Sequence, residues 1–142
     1  MELCIITGNS MSPTMPEGTI FFTVRPSPRK LKRGRVIIFG YGGKDDMPMA
    51  KRIIGCPGDV VELRGRSVFV NGRWLMEPYI IPPNEDYDPE QITLCAGEYY
   101  VLGDNRPNSV DSRLFGPIQQ REINGVMLFA IRLKGENHEL TR

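Results

Sequence analysis

The run Val60-Val61-Glu62-Leu63-Arg64-Gly65-Arg66-Ser67-Val68-Phe69-Val70-Asn71-Gly72-Arg73-Trp74-Leu75 decides the fold class. Three apolar, β-rich segments are separated by two turns, Arg64-Gly65-Arg66 and Asn71-Gly72. An Asn-Gly pair between apolar runs is the strongest short hairpin signal, because both central positions of a type I′ turn need positive φ. The segment therefore reads as a β-meander. Working outward, residues 19–24 are rich in β-branched and aromatic side chains and read as a strand. Residues 36–39 form a continuous apolar run, read as a buried strand, and residues 47–54, 98–102 and 125–131 add three more. A flexible turn is expected at residues 40–46, and residues 103–116 form a long polar turn region. The 12 prolines and 15 glycines favour many turns over long helices. The expected fold is all-β and mainly antiparallel. One domain is expected over residues 1–142, with an acidic, proline-rich excursion or insertion at residues 78–95.

Composition narrows the function. The chain is long enough for a real core, and 40% hydrophobic with 25% charged residues is ordinary for a globular domain. The net charge of +1 gives no argument for nucleic acid, and the basic run Arg29-Lys30-Leu31-Lys32-Arg33 reads as a solvated loop face. Cys4, Cys56 and Cys95 have no paired spacing and read as small buried hydrophobes. The single histidine, His138, lies in a charged tail, which removes Ser-His and Cys-His catalysis and histidine metal sites. Asp86 and Asp88 resemble the start of a calcium loop, but Pro89 and a missing glycine argue against one, so no metal or cofactor is expected. The longest uncharged window, residues 3–16, is too short and polar to span a bilayer. No secretory leader with a basic start and continuous apolar core is present.

Three stretches carry chemistry. In Gly8-Asn9-Ser10-Met11-Ser12-Pro13-Thr14-Met15-Pro16, a short apolar strand runs into a turn that Pro13 and Pro16 keep from becoming helical. A serine there can be presented to a substrate, or the segment can be a plain turn. The second is Lys51, a lysine inside a strand among Met49, Ala50, Ile53 and Ile54, where alternation puts Lys51 and Ile53 on one face and Arg52 and Ile54 on the other. It is either a buried functional amine or an edge-strand charge against aggregation. The third, residues 103–113, packs Asp104, Asn105, Arg106, Asn108, Ser109, Asp111 and Arg113 into one loop, either solvated or a rigid wall presenting Ser109. A Ser27-x-x-Lys30 match is set aside, because Pro26 and Pro28 exclude the helix it requires.

In this order the three stretches resemble the boxes of type I signal peptidases of the bacterial and mitochondrial kind, from about Ile5 to Arg132. Ser10-Met11-x-Pro13-Thr14 looks like the nucleophile box, and Lys51-Arg52-x-x-Gly55-x-Pro57-Gly58-Asp59 like the lysine box. Gly103-Asp104-Asn105-Arg106 through Ser109-x-Asp111-Ser112-Arg113 looks like the last box. The resemblance implies a complex β-fold shared with self-cleaving repressor Ser/Lys proteases, with Ser10 as nucleophile and Lys51 as general base. Such a lysine must be neutral, which means desolvation from about 10.4 toward about 7–8. By the same resemblance Ser109 hydrogen-bonds and orients the lysine, Asp111 and Arg113 form a supporting ion pair, and Arg52 belongs to the supporting set. Ile6, Met11, Met15, Met49 and Ala50 would line shallow pockets for small residues at the first and third positions before the cut. The oxyanion would meet the Ser10 backbone N–H, since Gly8 lacks the hydroxyl some relatives place there. Thr19 and Arg35 stand where Gly-Asp pairs are common in the family.

The implied role is cleavage of signal peptides from exported preproteins, bound as extended segments, at a membrane surface and without nucleic acid. The implied place is the cell membrane with the catalytic domain on the extracytoplasmic side, although family members carry a span upstream of the nucleophile box. Phe21, Phe22 and Trp74 are candidates for lipid contact, with core burial as the competing fate. The rival readings are a self-cleaving regulator-type Ser/Lys protease, a non-catalytic relative that binds extended peptides, and an oligonucleotide-binding barrel.

Overall fold

The structure, a computed structural model, describes residues 1–40 and 48–131. The turn expected at residues 40–46 and the tail carrying His138 therefore lie largely or wholly outside the described residues. The fold is all-β, with antiparallel strand pairing throughout two sheets. In chain order the strands are β1 (Glu2–Ile5), β2 (Ile20–Val24), β3 (Val36–Phe39), β4 (Met49–Gly55), β5 (Val60–Arg64), β6 (Ser67–Val70), β7 (Arg73–Trp74), β8 (Glu90–Thr93), β9 (Glu98–Leu102), β10 (Ile118–Gln119) and β11 (Ile123–Ile131).

A seven-stranded sheet runs β1-β2-β11-β3-β4-β9-β10, and a four-stranded sheet runs β7-β6-β5-β8. The meander is β5, β6 and β7. At its second turn Asn71 has φ 54° and Gly72 φ 79°, the backbone the Asn-Gly pair announces. The last described strand, β11, lies inside the large sheet between β2 and β3. The acidic, proline-rich stretch ends in β8, which pairs with β5 and completes the small sheet. Glu90-Gln91-Ile92-Thr93 has a single strongly apolar residue, so no period-two pattern marks it.

The sheets pack across β4 and β9, which explains why consecutive Ile53 and Ile54 are both fully buried. Ile53 and Val101 join a core with Ile37, Phe39 and Val126 on one face. Ile54, Tyr100 and Leu102 meet Val61, Leu63 and Val68 of the small sheet on the other. Gly55 lies at the crossing, where an added Cβ would come within 2.5 Å of Val61 and 2.8 Å of Leu94. A third core of Ile6, Met11, Met15, Phe21 and Val36 lies under the turn that follows β1. Phe21 is therefore interior, while Trp74 is 59% exposed on β7. Among the described residues, no helix is long and apolar enough to cross a membrane.

Candidate active site

The turn after β1 is fixed from both sides. Ile6 N–H donates to the Thr19 carbonyl at 2.9 Å, and Gly8 takes φ 83°, which a glycine adopts without strain. Met11 and Met15 are both 1% exposed and plug the turn into the core beneath it. From above, Asn105 N–H donates to the Ser10 carbonyl at 2.9 Å and the Asn105 side-chain amide donates to the Asn9 carbonyl at 3.1 Å. Ser10 is left half-buried, with its hydroxyl toward β4.

Lys51 comes from the middle of β4, is 5% exposed, and its Nζ donates to Ser10 Oγ at 2.8 Å. Burial lowers the Lys51 pKa from its ordinary value; the nearby Asp111 charge opposes the shift and Arg113 reinforces it. With the amine neutral the contact reverses, and the hydroxyl donates to the nitrogen lone pair. A hydroxyl within 2.8 Å of a buried amine is an arrangement that can transfer a proton between the two groups.

Behind the pair stands the loop after β9. Asp111, 1% exposed, accepts from the Gly103 N–H at 2.9 Å, from Ser109 Oγ at 2.8 Å and from Arg113 Nε and Nη2, both at 2.8 Å. Burial alone would raise its carboxyl, but the Arg113 hydrogen bonds and charge outweigh that and hold it below the usual carboxylate range. Ser109 faces the same cavity as Ser10 and Lys51, yet its hydroxyl donates to Asp111. No hydrogen bond joins Ser109 to Lys51 among the described residues. The loop packs so closely that Gly103 has no room for a side chain. A Cβ there would overlap Ser109 Oγ and come within 2.6 Å of Ser109 Cβ and 2.7 Å of the Ser10 carbonyl oxygen.

Arg52 serves the opposite face of β4. Its Nε and Nη2 donate to the two oxygens of fully buried Asp104 at 2.9 and 2.6 Å, and its Nη1 donates to the Gly34 carbonyl at 2.8 Å. Its guanidinium also lies over the Tyr79 ring at 4.1 Å. Thr14 Oγ1 donates to the same Asp104 at 2.6 Å. Asp104 thus ties the serine turn, the lysine strand and the last loop into one unit, a role that a polar loop in sequence does not reveal. Buried Arg106 does the same for the acidic excursion, donating through Nη1 to Glu77 at 3.1 Å and to the Tyr87 hydroxyl at 2.8 Å.

Two cavities meet at Ser10 and Lys51. One, about 270 Å³, is apolar and lined by Ile6, Met11, Met49 and Ala50, joined by Cys4, Phe21 and Ile38. Met15, grouped with these by sequence, is sealed in the core and does not line it. Phe21 and Ile38 sit in apolar strand segments whose sequence pattern singles out neither, and only the packing of β2 and β3 on either side of β11 brings them to one cavity. The other cavity, about 550 Å³ and more open, lies toward Pro107, Asn108, Ser109 and Val110. A separate space of about 340 Å³ lies by the acidic excursion and does not include Ser10 or Lys51.

Comparison with known proteins identifies the family of the chain. The family described as "Signal peptidase, peptidase S26" matches residues 1–131. The chain is 32% identical over 141 residues to signal peptidase I of Bacillus licheniformis, covering 90% of this chain and 75% of that one. It is 34% identical over 143 residues to signal peptidase IB of Staphylococcus aureus (strain COL), covering 87% of this chain and 74% of the relative. A crystal structure of a signal peptidase I from Enterococcus faecalis V583 superposes with a TM-score of 0.60 at 34% identity, covering 72% of this chain and 98% of that chain.

Proposed function

Since this chain belongs to the signal peptidase family, peptidase S26, we propose that it is a Ser/Lys-dyad endopeptidase that removes signal peptides from exported preproteins after small residues. The observation that carries the reading is a buried Lys51 amine 2.8 Å from the Ser10 hydroxyl, at the junction of two cavities.

The chemistry follows from that contact. Neutral Lys51 takes the hydroxyl proton as Ser10 Oγ adds to the scissile carbonyl carbon. The oxyanion that forms is met by the Ser10 backbone N–H, which makes no hydrogen bond among the described residues. The Lys51 ammonium then gives its proton to the amine nitrogen as the C–N bond breaks, leaving an acyl group on Ser10. Water gives a proton to Lys51 as it adds to that ester; the C–Oγ bond then breaks, the Lys51 ammonium returns the proton to Oγ, and the signal peptide leaves with a new C-terminal carboxyl group. Burial favours the neutral form of Lys51, while the buried Asp111 carboxylate nearby lowers the cost of its brief charge. Ser109 then acts by holding Asp111, and Arg113 by fixing the Asp111 carboxylate. The apolar cavity, with Ile6, Met11, Met49 and Ala50, suits the small residues before the cut.

Cleavage of a preprotein carrying an Ala-x-Ala site, measured across pH, tests this. Cutting is expected after the second alanine. Because the base must be neutral, the rate should fall as pH drops through the Lys51 pKa, which burial has moved below its ordinary value. A preprotein left intact at every pH, with phospholipid present, would overturn the peptidase reading.

The membrane surface is the proposed partner of one face of the large sheet, on the extracytoplasmic side. Leu3, Phe22 and Phe129 align in one row across β1, β2 and β11, and Ile5, Ile20 and Ile131 in the next. Leu3 is 61% exposed, Ile5 57%, Phe129 46% and Ile131 42%, an apolar face continuous with the strand that leads into Ser10. Phe129→Asp combined with Ile5→Asp should release the chain from phospholipid vesicles in a sedimentation assay. Unchanged binding would remove this face from the proposal.

A further inference from the structure

A peptide bond lying over Ser10 has two sides, and only one of them is served by the apolar cavity. The second cavity shares Ser10, Met49 and Lys51 with the first and opens in the direction of the last loop. Its outer wall is Pro107, Asn108, Ser109 and Val110, and among the described residues Lys51 is the one ionisable side chain lining it. That wall is built rather than loose. Asn108 N–H donates to the Asn105 carbonyl at 2.9 Å, Ser109 is bonded to Asp111 at 2.8 Å, and Arg113 Nη1 donates to the Arg106 carbonyl at 3.1 Å. Through Asn105 the same loop is fastened to the Ser10 carbonyl. Val110 stands in this braced wall with 53% of its surface exposed and belongs to none of the buried cores.

We infer that the wall from Pro107 to Val110 is the subsite for the first residues of the released protein, with Val110 as a specificity-determining residue on the leaving side. The inference rests on the peptidase reading above, and on the assignment of the apolar cavity to the residues before the cut. With that side taken, the departing chain must cross the second cavity, beside the Lys51 Nζ that protonates its new amine. A wide, uncharged wall offers neither an ion pair nor a tight steric limit, so it accepts diverse side chains. Tolerance on that side fits an enzyme acting on many exported proteins whose mature ends differ.

The test puts a charge in the wall and reads selectivity. Two preproteins, identical except for Asp or Lys at the first position after the cut, compete for the full chain. A second pair differs only in the residue three positions before the cut, Ala against Val. The unmodified protein should barely distinguish the Asp and Lys substrates. Val110→Lys should favour the Asp substrate and Val110→Asp the Lys substrate, by about two- to fivefold in opposite directions, and less at high salt. The Ala-to-Val ratio should not move. Val110 is at the surface, so both variants should fold. An Asp-to-Lys ratio unaltered in both variants overturns the inference, and so does a change confined to the pair before the cut, which would reverse the direction of the substrate. If the unmodified chain cuts neither preprotein, the peptidase reading fails and this inference with it.

Discussion

Ser10→Ala and Lys51→Ala are each expected to reduce preprotein cleavage by about a hundredfold to ten-thousandfold, and the double variant to be no slower than either single one. The magnitude is that of losing a positioned base. The lack of additivity is expected because, in the proposed dyad, the two groups share one proton transfer across the 2.8 Å contact, so removing either one ends it. Lys51→Arg should be as inactive as Lys51→Ala, since a guanidinium stays protonated and has no lone pair to offer. Folding behaves differently from activity. The Lys51 pKa is lower folded than unfolded, so between those two values the unfolded chain holds more protons. Stability therefore rises with pH through that window, and the burial cost of Lys51 is fully present below the folded value. Lys51→Met should be more thermally stable than the unmodified chain at acidic pH, with the difference shrinking as pH rises. Full cleavage by Lys51→Ala would end the dyad reading. A Lys51→Met chain that melts lower at acidic pH would mean that the amine carries no burial cost.

Gly103→Ala should lower the cleavage rate on the order of a hundredfold, with a stability loss of about 1–3 kcal/mol. The added methyl overlaps the Ser109 side chain and the Ser10 carbonyl oxygen, and neither neighbour is free to retreat. Ser109 is bonded to buried Asp111, and the Ser10 carbonyl is bonded to Asn105. Relaxation must therefore move the nucleophile turn, the wall, or both, and a shift near an ångström is enough to misalign the attack. Combining Gly103→Ala with Ser109→Gly should recover part of the stability, because two of the three crowded atoms leave, without recovering activity. A Gly103→Ala protein with ordinary kcat would show that the loop and the serine turn are less tightly coupled than the contacts require.

Strands were legible where a local pattern exists. The Asn71-Gly72 turn, the apolar run of β3 and the branched residues of β2 each act on their own neighbourhood, and each element forms as read. β8 was not legible, because its stability comes from pairing with β5 and not from its own side chains. Phe21 and Trp74 show the same limit. Both are aromatic strand residues, yet one is interior and the other exposed, because β2 lies over the core under the serine turn while β7 is an edge of the small sheet.

By itself the sequence determined the β class, the turns that form as read, and the residue types available for chemistry. These depend on backbone preferences and composition, which act over a few residues. The tertiary structure alone decided what meets what. Lys51 reaches Ser10 across 41 positions and Thr14 reaches Asp104 across 90, contacts that no local preference encodes. It also decided that Ser109 holds Asp111 and not Lys51, and that Met11 faces the cavity while Met15, four residues on, is sealed in the core. Each of those outcomes depends on which buried polar group must be satisfied and which void must be filled once the strands have packed, and that is settled by the whole chain at once.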